Sequence, residues 1–141
     1  MKYLVVLLLS CTLFAQSKHG NEWNLKKTLA EQGFSGMITG KVHFTRLGDL
    51  ACNAQKFHAF YYEWEESNPP GKAIHFQARV LLINMRGDYA GSYVIEDRPV
   101  RITHNALVFP YEERLGNKIQ CDADGWPESV TLNDQGSTFF K

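Results

Sequence analysis

The side chains able to do chemistry in this chain are five histidines, three short acidic clusters and three cysteines. The histidines are His19, His43, His58, His75 and His104, and no two stand at the H-x-H or H-x-x-x-H spacing of a local metal motif. His43, His58 and His75 fall in three different predicted strands. They read as strand histidines with a polar edge toward water, although neighbouring antiparallel strands are a route by which two could share a face. The cluster Asp122, Asp124 and Glu128 in DADGWPE invites a calcium reading. An EF-hand loop, however, needs its glycine at the sixth position and a glutamate at the twelfth, whereas Gly125 arrives at the fourth. A turn using Gly125 is the expectation.

Glu63, Glu65 and Glu66, with Glu112 and Glu113, are the candidates for a carboxylate pair acting on glycosidic bonds. Charged strand ends that discourage edge pairing account for the same residues. Arg86-Gly87-Asp88 is the tripeptide that adhesion receptors read, and it also suits an ordinary hairpin tip. No Gly-x-Ser-x-Gly elbow and no phosphate-cradling glycine loop occurs. The sequence names no catalytic residue, no metal ligand and no cofactor.

The cysteines depend on how the N-terminus is read. Lys2 followed by the apolar run from Tyr3 to Leu9, extended by Thr12-Leu13-Phe14, reads as a signal peptide over residues 1–15, cut after Ala15. The run is too short for the roughly 20 residues that span a bilayer. A competing reading cuts before Cys11 and places a lipid anchor there, but a lipoprotein usually continues from its cysteine into a polar tether. Either way Cys52 and Cys121 remain as a pair, and an oxidising compartment favours a disulfide between them. With the pair bridged, no nucleophilic sulfur is left.

The chain carries 15 Lys and Arg against 15 Asp and Glu, with both signs interspersed and Lys2 in the leader. The electrostatic footprint of a nucleic-acid binder is lacking. Aromatic residues are the surplus: Phe57, Phe60, Tyr61, Tyr62 and Trp64 crowd one predicted strand and must point to both of its faces. If one face is core, the other is either covered or an exposed recognition strip rimmed by glutamates. The strip reading makes Tyr61, Tyr62, Trp64, Asn68 and Lys72 the expected binding residues.

Periodicity and turn chemistry define the scaffold that carries these side chains. Residues 16–23 read as a flexible stem, and 24–141 as one domain with a short leading helix, NLKKTLAEQ, capped by Asn24 and stopped by Gly33. From Gly36 onward apolar and polar residues alternate, as in Ile38, Val42 and Phe44 against Lys41, His43 and Thr45. Turn residues divide the remainder of the chain into about eight or nine short strands, the first ending at Arg46 and another running as ALVFPYEE from Ala106 to Glu113, with His104-Asn105 as a two-residue hairpin loop. No strand is followed by a helix-length crossover, so the expected fold is mainly β. It is an antiparallel meander forming a small barrel or curled sheet, with a two-sheet sandwich as the alternative.

This profile points to an exported domain, periplasmic or extracellular, that binds another protein in the manner of an inhibitor or immunity protein. A lipocalin-like carrier of a small apolar ligand and a hydrolase built from strand carboxylates and histidines are the alternatives.

Overall fold

The computed structural model describes residues 18–36, 38, 41–66 and 75–141, with backbone alone for 18–23, 66, 75 and 76. The leader, Cys11, the first two residues of the stem and the loop carrying Asn68 and Lys72 lie outside the described residues. Helix α1 spans Lys18–Glu31 and the strands are β1 Val42–Cys52, β2 Gln55–Glu66, β3 His75–Asn84, β4 Tyr89–Ile95, β5 Arg101–Ile102, β6 Ala106–Val108, β7 Lys118–Gln120, β8 Ser129–Leu132 and β9 Gln135–Phe140. A one-turn helix α2, Glu112–Leu115, sits between β6 and β7.

All strand pairings among the described residues are antiparallel. Six strands form one sheet in the order β1-β2-β3-β4-β9-β8, and β5-β6-β7 form a second. The sheet does not close into a barrel. Instead the small sheet lies over the inner face of the large one, and its tie to β1 is explicit. The Ala51 N–H donates to the His104 carbonyl at 2.7 Å, and Cys52 is bonded to Cys121.

The large sheet is buried on both faces along β2 and β3, because these strands carry apolar residues at odd and even positions alike. Along β2, Phe57, Ala59 and Tyr61 face the inter-sheet core with Val80, Leu82, Tyr93, Leu107, Phe109 and Ile119. Tyr62, with Phe60 and Trp64 beside it, faces outward, where Leu25 and Leu29 of α1 and then Phe34 cover it. Leu29 is fully buried, and a leucine so placed contributes roughly 2 kcal/mol of apolar burial. That docking, more than propensity, holds the helix.

In β1 the register shifts by one residue between Arg46 and Gly48. Before this bulge Val42 and Phe44 pack beneath α1, and after it Leu50 and Cys52 enter the inter-sheet core. One extra residue therefore moves β1's apolar side from one core to the other. At Gly91 on β4, a Cβ would overlap the ring of Phe139, so only glycine allows β9 to approach so closely.

Three details depart from the sequence reading. Helix α1 begins at Lys18 rather than Asn24, so Asn24 lies inside the helix and caps nothing. A docked helical nucleus propagates at little cost, and the residues before Asn24 hold no proline; Gly20, at a cost of about 1 kcal/mol, does not stop the helix. Strand β1 continues through Leu47 to Cys52, beyond the Arg46 expected to end it. The stretch expected to extend β6 turns at Tyr111 into α2, so Glu112 and Glu113 are helix residues, not strand carboxylates.

The β1–β2 and β8–β9 hairpins each turn on two residues with positive φ: Asn53 and Ala54 at 47° and 64°, Asn133 and Asp134 at 50° and 62°. This turn matches the twist of the flanking strands, but a Cβ in that region costs about 1–2 kcal/mol, and alanine has no polar group to offset it. Ala54→Gly is expected to raise stability by about 0.5–1 kcal/mol, the strain relieved less the entropy that glycine adds to the unfolded chain. Equilibrium denaturation in urea measures it. Removing the bridge as Cys52→Ala/Cys121→Ala, which span 69 positions, is expected to cost about 4 kcal/mol. Denaturation of the native protein with and without reductant should give the same difference.

Candidate functional site

The strand register pairs each of the three strand histidines with a carboxylate: His43 opposite Glu63, His58 opposite Asp49, and His75 opposite Glu66. Among the described side chains the middle pair is in contact. His58 Nδ1 donates to Asp49 Oδ1 at 2.6 Å, and Arg46 donates to the same oxygen at 2.6 Å. The bulge in β1 brings Arg46 and Asp49 to one side of the sheet. The hydrogen bond from His58, reinforced by that from Arg46, holds the Asp49 carboxyl below its ordinary value of 3.8.

A histidine oriented by a carboxylate is the frame of a general base. Here an arginine and a histidine converge on one oxygen of a half-exposed aspartate. Chemically the group is an Arg46–Asp49 ion pair with a cross-strand hydrogen bond from His58. Glu65 is likewise engaged, by Lys41 at 3.3 Å.

The Arg86-Gly87-Asp88 tripeptide does form the β3–β4 tip, with Gly87 at φ 91°. Its charges are directed at each other and at the turn. Arg86 Nε lies 3.3 Å from Asp88 Oδ2, and that carboxylate accepts from Asn84 at 3.0 Å. The DADG corner closes as a turn, with Gly125 at φ 110° and Asp122 accepting the Asp124 N–H. Among the described residues no three His, Cys, Asp or Glu side chains are grouped to hold a metal ion.

The aromatic strand presents no bare strip at the expected positions. Tyr61 is buried in the inter-sheet core, Tyr62 is buried beneath α1, and Trp64 is half-buried at the margin of the α1 cluster. Periodicity showed that both faces of β2 are aromatic, but not that both are covered. Arg98 closes over the Tyr61 ring at 5.3 Å.

Two concavities lie outside this packed interior. A groove of about 460 Å³ runs along the disulfide, lined by Asn53, Lys56, His104 and Asp122 among others. A smaller pocket of about 130 Å³ opens where β4 and β9 part, floored by Ile95, Phe109 and Leu132.

The exposed surface that sequence reasoning missed is the α2 corner. Tyr111 is 63 % exposed and holds a left-handed conformation at φ 64°. The Arg114 guanidinium stacks 5.4 Å from its ring centre, and Leu115 is exposed beside it in sequence. The corner is pinned from below by Asn117, only 1 % exposed, whose amide donates to the Pro110 carbonyl at 2.8 Å and to Asn133 Oδ1 at 2.5 Å. The sequence carried one signal of it, Pro-Tyr followed by two glutamates, which is a helix start rather than a strand.

Because the folded Asp49 carboxyl is depressed, its stabilisation is complete above the unfolded value near pH 4 and is lost as pH falls through the folded value. Asp49→Asn is therefore expected to be less stable than the native protein at pH 6 by about 0.2–1 kcal/mol, as for exposed pairs. The difference should vanish by pH 2, read as urea midpoints across that range. In comparisons with known proteins, the chain matches no family model, no curated sequence and no solved structure.

Proposed function

We propose that this chain is an exported binding protein of inhibitor or immunity type, acting in the periplasm or outside the cell by surface recognition of another protein. The observation that carries the reading is Tyr111. A non-glycine residue in the left-handed region costs about 1 kcal/mol or more, and such strain concentrates at functional positions. Here the strained backbone holds a large aromatic out in water, stacked with an arginine. Tyrosine and arginine are the residue types that dominate binding hot spots, and a rigid base limits the entropy lost on binding.

The disulfide supports the compartment, since such bonds persist where thiols are oxidised. No helix among the described residues is long and apolar enough to cross a membrane. The packed inter-sheet core supports recognition at the surface rather than enclosure of a ligand between the sheets. The Tyr61, Tyr62 and Trp64 strand then acts as the support of the recognition surface, and the α2 corner as its contact.

The test is retention of one stoichiometric partner from periplasmic extract by the immobilised mature protein. Tyr111→Ala and Arg114→Ala are each expected to reduce retention at least tenfold with unchanged thermal unfolding. Met85→Ala, exposed on the β3–β4 turn, should retain the partner fully. Retention by Tyr111→Ala equal to native, or no partner at all, overturns the proposal.

A further inference from the structure

Strands β4 and β9 pair only at Ser92 with Phe140 and at Tyr93 with Phe139. Beyond these the strands part on the Val94 side, where Ser137 Oγ donates to the Val94 carbonyl at 2.5 Å. The pocket of about 130 Å³ occupies this divergence. Its floor is buried and apolar, formed by Ile95, Phe109 and Leu132. A cavity of about 150 Å³ with such a lining accepts a benzene-sized group.

One wall is charged. Asp97 Oδ2 accepts from the Asn133 amide at 2.5 Å, and Asn133 is in turn fixed by the buried Asn117, which both accepts its N–H at 3.0 Å and donates to its Oδ1. The carboxylate is thus oriented through two side chains, and its Oδ1 has no partner among the described residues. Glu96 lines the same pocket. Neither acid is in an ion pair among the described residues; the adjacent cation, Arg98, lies over the Tyr61 ring, whose hydroxyl the Asp97 charge also reaches.

We propose that this pocket receives a lysine side chain of the partner protein, the methylene stem on Phe109, Ile95 and Leu132 and the ammonium on Asp97. This rests on the surface-recognition reading and names its anchor. A lysine suits the site better than an arginine because Asp97 has one oxygen to give, enough for a point charge but not for a two-pronged guanidinium. The pocket also adjoins the α2 corner, since Asn117 joins Pro110, the residue before Tyr111, to the Asn133 turn. An apolar pocket next to an exposed Tyr–Arg pair is the arrangement in which one inserted side chain carries much of the binding energy.

The test is an amide NMR titration of the mature protein with n-butylammonium, a lysine side chain without its backbone. Saturating shifts are expected at residues 94–97, 109 and 132–137. n-Butanol, which keeps the stem without the charge, and methylammonium, which keeps the charge without the stem, should each bind at least tenfold more weakly. Asp97→Asn, which retains an acceptor for Asn133, should weaken n-butylammonium at least tenfold. Equal binding of n-butanol and n-butylammonium, unchanged affinity in the variant, or shifts scattered over the surface each overturn the assignment. If the variant unfolds, the three probes on the native protein decide alone. The titration needs no partner, so its failure leaves the retention experiment free to succeed, and the reverse.

Discussion

A single extra residue in β1 governs the rest of the molecule. Without the bulge at Leu47, Leu50 and Cys52 would share the face of Val42 and Phe44 and point toward α1. With it they point into the inter-sheet core, where Cys52 meets Cys121. The small sheet needs that fastening. Its strands are two, three and three residues long, far too little hydrogen-bonded structure to persist alone. The bridge and the Ala51–His104 backbone bond hold it over the large sheet. Tyr93, Phe109 and Leu107 then complete the core.

The polar groups sort themselves in the same way. The chemistry-bearing residues that invite a functional reading from sequence are mostly satisfied by their own neighbours. Asp49 serves His58 and Arg46, Asp88 serves Arg86 and Asn84, and Glu65 serves Lys41. Two features stand apart from these satisfied pairs: a strained tyrosine at the α2 corner and an oriented aspartate at the edge of a small apolar pocket. Both are held through one buried asparagine, Asn117, which bonds Pro110 and Asn133, while Asn133 in turn bonds Asp97.

The nine strands and their antiparallel hairpins were legible because each rests on local chemistry: alternation within the strand and turn residues at its ends. Ile38, Val42 and Phe44 do share a face, and His104-Asn105 does turn the β5–β6 hairpin. The misreadings fall where a distant contact decides. Nothing near Leu47 announces a bulge, because its reason is the location of a second core. Helix α1 is held by Leu25 and Leu29 packing with Val42, Tyr62, Leu81 and Ile83 on the outer face of β1–β3, and Asn24 lies inside it. The pocket beside Asp97 was invisible for the same reason, since it exists only because two strands far apart in sequence pair briefly and then diverge. The coverage of Tyr61 and Tyr62 likewise depends on which element lands on which face.

The place of β9 between β4 and β8 has a consequence for how the molecule comes into being. Tyr93 and Ser92 are made some 46 to 48 residues before the partners that cover them, Phe139 and Phe140. Until residues 135–140 have been synthesised, β4 is an open edge and the floor of the large sheet is incomplete. Such long-range pairing is slow to form. A nascent chain therefore stays unfinished until β9 has joined β4 and β8.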